Sequence, residues 1–122
     1  MKARPEMKLV QTQIMSGVIV MQMTGRVHMG KDCIEIDNEV EQHILRNEKR
    51  VIFDLTAVDH IDSAFVGQIV KSHSRLTKSG GTLRLAGASG MVESVLKLTQ
   101  VHTVIKLYPS AGEACQNLPE QK

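Results

Sequence analysis

Asp54, His60, Asp62 and Ser63 lie close together in the stretch VIFDLTAVDHIDSAFVGQIVKSHSRL, residues 51–76. Asp54, His60 and Ser63 offer the side-chain types of a hydrolase, yet no GxSxG elbow accompanies them and His60 stands only three residues from Ser63. Nucleophilic catalysis is therefore disfavoured. The spacing points instead to a place for a phosphate. Apolar residues 51–55 read as a strand that passes through a polar turn to Ile61-Asp62-Ser63, after which Phe65, Ile69, His73 and Leu76 recur at helical intervals. The join falls on Asp62 and Ser63, both good N-cap residues, so Ser63 should stand where backbone N–H groups point outward and the helix dipole is positive. A phosphoryl group there would add roughly −1.5 to −2 charges and three acceptor oxygens. From pattern alone Ser63 reads either as an ordinary N-cap or as an acceptor of that group. Asp62 either satisfies the donors of the turn or orients the serine, and Asp54 reads as a structural hydrogen-bonding residue.

Other chemistries find little support. Neither GxxxxGK[ST] nor GxGxxG occurs, and Ser79-Gly80-Gly81 follows a helix instead of opening one, so it reads as a helix stop. Cys33 and Cys115 lack a CxxC neighbour, which signals neither a zinc site nor a disulfide framework; reduced, mostly buried thiols are expected. No cofactor and no metal is implied.

The elements that must position Ser63 are legible on either side of it. Residues 1–7 read as a loose tail, 8–15 as a strand, Ser16-Gly17 as a turn and 18–23 as a second, more buried strand, together a hairpin. Gly25 breaks the pattern and residues 26–31 read as a loop. Cys33, Ile36, Val40 and Ile44 then mark an amphipathic helix over 32–47, with acidic residues in its first turns. After the central strand and helix come a strand at 82–86, a helix capped by Ser89 that carries Val92, Val95, Leu96 and Thr99, a short strand at 104–108, and a last helix opened by Ser110 with Glu113 at capping-box spacing. Ala114 and Leu118 face inward. This alternation predicts an α/β fold, a mixed β-sheet packed against about four α-helices in a single domain over 8–118, with 119–122 as a C-terminal tail. Ligands and partners of such sheets gather at loops beyond the carboxyl ends of strands, here 25–31, 56–63 and 87–90.

Composition sets the outer bounds. The chain has 122 residues, 42% of them hydrophobic but only 2% aromatic, so Ile, Val, Leu and seven Met must fill one modest core. A net charge of +2, without Lys/Arg runs interleaved with aromatics, argues against nucleic acid. The N-terminal MKARPEMK has no apolar h-region after it and no segment approaches a membrane-spanning length, so a cytosolic protein without membrane contact is expected.

The block VIFDLTAVDHIDSAFVGQIV, followed by LTKSGGTLRLAGASGMVESVLKLTQVHTVIKLYPSAGEA, resembles the STAS domain of bacterial anti-sigma factor antagonists. The most specific marks are Asp54, then Asp62-Ser63, the Gly80-Gly81 turn, Leu98-Thr99 and Val104, with Gly25-Arg26-Val27 after the second strand. The resemblance implies a phosphorylatable switch without catalytic activity. In similar antagonists the serine matching Ser63 is phosphorylated by an ATP-dependent anti-sigma factor kinase and restored by a PPM-type phosphatase. The unmodified form binds the anti-sigma factor and frees the sigma factor. The partner surface so implied comprises Arg26, His28, Asp62, Ser63, Ala64, Phe65 and Ser89. Two positions depart from the family. Phe65 stands where many members have glycine, and either buries its ring or projects it toward a partner. His28 replaces the usual Asp or Thr and is either a surface residue or a partner contact; Arg26 is either solvated or able to pair with a phosphate on Ser63. The competing reading is a non-phosphorylated STAS scaffold subunit of a stressosome-like or lipid-transport complex, and pairing of two copies through the first strand's edge, as a weak homodimer, stays open.

Overall fold

A computed structural model describes residues 7–15, 17–27 and 31–122, without the side chains of Ile14, Met15 and Arg26. Strands β1 (Lys8–Met15), β2 (Val18–Val27), β3 (Arg50–Ile61), β4 (Thr82–Ala86) and β5 (Leu107–Tyr108) form one sheet in sequence order. The hairpin partners β1 and β2 are antiparallel and every later pairing is parallel. Each parallel pair needs a crossover, and these are supplied by α1 (Lys31–Leu45), α2 (Ser63–Lys78) and α3 (Gly90–Leu98); a single-turn α4 (Ala111–Ala114) follows β5. The expected mixed sheet with four helices is therefore what the chain forms.

Alternation along the strands divides the interior in two. Ile19, Met21 and Met23 of β2, Val51, Phe53 and Leu55 of β3, and Leu83 and Leu85 of β4 join Ile36 and Val40 of α1, Phe65 and Ile69 of α2, and Leu96 of α3 in the main core. On the other face Val18, Val20, Ile52 and Ala86 pack with Ala114, flanked by Tyr108 and Leu118. Strands covered on both sides read as continuous apolar runs, which is why Val18–Met21 and Val51–Leu55 lack alternation.

Several boundaries differ from the sequence expectation, each for a local reason. The central strand does not end at Leu55 in a polar turn; it continues to Ile61, paired with β2 alone beyond Asp54. Gly25 likewise lies inside β2 and not in a loop. The ladder slips between Gln22 and Thr24 and again between Gly25 and Arg26, each time taking one more residue of β3 than of β2. At the first slip Asp54 Oδ1 accepts from Thr56 N at 3.0 Å and from Thr56 Oγ1 at 2.6 Å. Polar residues that imitate a turn are thus the residues of an irregular ladder.

The expected strand at 104–108 shrinks to Leu107–Tyr108, because Val101–Thr103 forms a 3-10 turn after Gln100, which holds a φ of 61°. Met7, assigned to a tail, is buried in the main core. The C-terminal residues are also tied in. Gln121 Oε1 accepts from Lys49 N at 2.8 Å, its Nε2 donates to Asn47 O at 2.6 Å, and Lys122 N donates to Gly80 O at 2.8 Å. Neither Cys33 nor Cys115 is in a disulfide, and both are only half-buried, not mostly buried. No helix among the described residues is long and apolar enough to cross a membrane.

Candidate functional site

The corner between β3 and α2 is built by one cap. Asp62 has extended backbone, with φ −118° and ψ 177°, and its Oδ1 accepts from Phe65 N at 2.9 Å while its carbonyl accepts from Val66 N at 3.2 Å. Asp62 is therefore the N-cap and Ser63 is the first helical residue. Ser63 is not needed as a cap, and its side chain is exposed. Two of the helix's first donors, the N–H groups of Ser63 and Ala64, have no partner among the described residues. The first turn of α2 holds no acidic side chain. An anion on Ser63 would meet unsatisfied donors and the positive end of a sixteen-residue helix. Asp62, half-buried, is the opposing charge.

Phe65 resolves one open choice. Its ring is fully buried in the main core, so it anchors the start of α2 and does not project toward a partner. One turn on from Ser63, Gly67 is exposed, and a Cβ built there would meet nothing within 4 Å. Val70, a further three residues along, is 45% exposed. Ser63, Gly67 and Val70 therefore form a ridge on the outer side of α2, low near the serine.

The neighbouring helix is locked to this one. Asp37 of α1 accepts from Arg75 Nη1 at 2.8 Å and Gln68 Nε2 at 3.3 Å on Oδ1, and Lys71 Nζ lies 3.4 Å from Oδ2. Arg75 also engages Glu41. Burial works to raise the pKa of Asp37, but hydrogen bonds from Arg75 and Gln68, with the Arg75 and Lys71 charges, outweigh it and hold the carboxyl below its ordinary value. Sequence reasoning treated the acidic residues of α1 as a solvated face. The signal that identifies the clamp is cross-helix: Asp37 and Glu41 one turn apart, facing Gln68, Lys71 and Arg75 at similar spacing. The first turn of α1 also approaches the corner, since the thiol of Cys33 is pushed up by burial and then by the charges of Asp62 and Asp32.

The remaining expected site residues are distributed unevenly. Arg26 pairs through its backbone with His60 on β3, which puts its Cα beside the corner, while its side chain and the whole of His28 lie outside the described residues. Ser89 is exposed and is the N-cap of α3, without a side-chain cap bond. Its strand, β4, parts from β3 at Asp54–Ala86, seven residues short of Ile61, about 23 Å along an extended chain. No described contact joins Ser89 to Ser63. Among the described residues there is no cluster of three metal-ligating side chains.

The STAS domain family model matches residues 10–114. The chain belongs to the STAS domain family. A candidate anti-sigma factor antagonist of Thermotoga maritima is 28% identical to this STAS domain over 78 residues, covering 64% of this chain and 69% of that one. Among solved structures, an anti-sigma factor antagonist from Mycobacterium paratuberculosis superposes with a TM-score of 0.81 at 16% identity, covering 94% and 96% of the two chains. The anti-sigma factor antagonist SpoIIAA in its unphosphorylated form gives 0.76 at 16% identity over 88% and 92%. At such identities these likenesses speak for the fold.

Proposed function

We propose that this STAS domain is an anti-sigma factor antagonist controlled by phosphorylation of Ser63. The observation that carries the reading is the division of labour at the corner, where Asp62 caps the helix and leaves an exposed hydroxyl at its first residue. In the modifying step the Ser63 Oγ attacks the γ-phosphorus of ATP, the bond to the β-phosphate oxygen breaks, ADP leaves, and a base of the kinase takes the hydroxyl proton. A PPM-type phosphatase returns the hydroxyl by hydrolysis, releasing inorganic phosphate. The chain is substrate and binder in this cycle, and supplies no catalytic group.

Unmodified, the Ser63–Gly67–Val70 ridge, with Asp62 and Ala64 at its foot, docks on an anti-sigma factor and displaces its sigma factor. Arg26, whose backbone pairs with His60 beside the corner, is assigned to the same surface, and His28, outside the described residues, is included on the family resemblance alone. Phosphorylation puts a hydrated dianion on the ridge. The helix terminus tolerates that charge, whereas a closely packed partner does not, and a loss of about 3 kcal/mol in docking lowers affinity by roughly a hundredfold. The burial of Phe65 supports this reading over a partner restricted by an exposed ring.

The test is an incubation with the anti-sigma factor serine kinase of the same organism and ATP, followed by intact mass and peptide mapping. A single phosphate on Ser63 is expected, together with loss of anti-sigma binding in Ser63→Asp and retention in Ser63→Ala. Binding unaffected by either substitution, with no mass increase, would establish the constitutive scaffold instead.

A further inference from the structure

The face of the sheet opposite α2 is only half covered. Ala114 and Leu118 close it over β3, β4 and the start of β2, where Val18 and Val20 are buried, while over β1 it is open, with Val10 52% exposed. A groove of about 360 Å³ lies where the covered and open halves meet, between Thr12, Val20 and Gln22 on one side and Gly112 and Cys115 on the other. That volume falls at the small end of the range for small-molecule sites. Asp54 also lines it and is itself only 9% exposed. Both of its hydrogen bonds, from Thr56 N and Thr56 Oγ1, go to Oδ1; Oδ2 has no donor among the described residues. Among the described residues the groove lining contains no Lys, Arg or His to offset the carboxylate. That Oδ2 oxygen is open to the groove and not sealed from solvent, so a cationic donor lying between the apolar walls can reach it.

We propose that this groove binds a small organic ammonium compound, its hydrocarbon part along Val20 and Gly112 and its N–H donating to Asp54 Oδ2, with the Gln22 side-chain carbonyl as second acceptor. The site is independent of the Ser63 reading, since it lies on the other face of the sheet and uses none of the corner residues. Gly112 lines it. A Cβ at that position meets only Ser110 Oγ, at 3.8 Å, so a larger side chain can be placed beside the groove without displacing the fold.

The experiment is a titration of the full chain with n-butylammonium, and separately with n-butanol as its neutral counterpart, at fixed pH and ionic strength, followed by amide chemical shifts. Saturable shifts centred on Val20, Gln22, Asp54 and Gly112 are expected, with affinity at least tenfold weaker for butanol. Asp54→Asn keeps the acceptor for Thr56 and should weaken butylammonium at least tenfold, while Gly112→Leu should abolish binding with the thermal midpoint preserved. Equal affinity for butanol, an unaffected Gly112→Leu, or shifts spread over Glu39 and Glu41 would each overturn the proposal. So would concentration-dependent shifts at the same residues without amine, which would mean that a second copy of the chain occupies the groove. Should Asp54→Asn fail to fold, the butanol and Gly112→Leu comparisons still decide.

Discussion

Asp62 Oδ1 holds the amide of Phe65 at 2.9 Å, and in doing so it frees the residue that follows the cap, Ser63, from any capping duty. Cap and ring together fix where α2 begins. The carboxylate sets its first turn and the buried Phe65 pins that turn to the core. Replacing Asp62 by Ala should cost about 1 kcal/mol in urea unfolding, whereas Asp62→Asn should stay within a few tenths. Equal losses for both would mean that the negative charge, not the hydrogen bond, matters.

Gly67 sits in mid-helix with nothing of its own molecule around its missing Cβ. Gly67→Ala should therefore raise stability by up to about 1 kcal/mol by thermal or denaturant melting. The same substitution thickens the ridge beside Ser63, and calorimetric titration with the anti-sigma factor should show at least tenfold weaker docking. A stabilised variant that docks normally would move the partner off this ridge.

Gly87 has the opposite environment. Its φ is +75°, and a Cβ would fall 2.0 Å from Thr56 Oγ1. Both strain and collision oppose Gly87→Ala, which should cost more than about 2 kcal/mol. Adding Thr56→Ala should recover only the collision with Oγ1 in equilibrium unfolding, leaving the contacts with Thr56 N at 2.9 Å and Cα at 3.0 Å and the backbone strain.

The clamp between α1 and α2 gives a pH signature. Asp37 titrates below its ordinary value of 3.8 in the folded chain, so its contribution is fully present above that value and is lost as pH falls through the folded pKa. Stability should decline below about pH 4, and Asp37→Asn should flatten that part of the acid limb. The carboxylate and Arg75 are 20% and 28% exposed, which limits the pair to about 1 kcal/mol. An unchanged acid limb in Asp37→Asn would assign the decline to other carboxylates.

Local periodicity carried most of the architecture. The helices at Cys33, Phe65 and Val92, the hairpin, and the stop at Gly80-Gly81 follow from apolar spacing and terminal residues, and the structure reproduces them. Non-local relations were hidden. Thr56, Asp59 and His60 look like a turn because polarity is a poor guide where a strand slips against its neighbour. His43 was unremarked, yet it is buried, with Nδ1 2.9 Å from Glu48 Oε1 and its other ring nitrogen facing Gln11 on β1. Its place three residues after Val40 was the available clue. The corner itself was legible to within one residue: the cap is Asp62, and Ser63 follows it.

One consequence remains in the unequal lengths of the inner strands. Past Asp54, β3 has lost β4 and advances with β2 as its only ladder partner, while α3 packs against it. The serine thus stands on a cantilever thrown out from the doubly braced part of the sheet. On the proposed reading, a partner docked at Ser63 would bear on that overhang, which Val58 and Ile61 tie to the main core, and not on the strands paired on both sides.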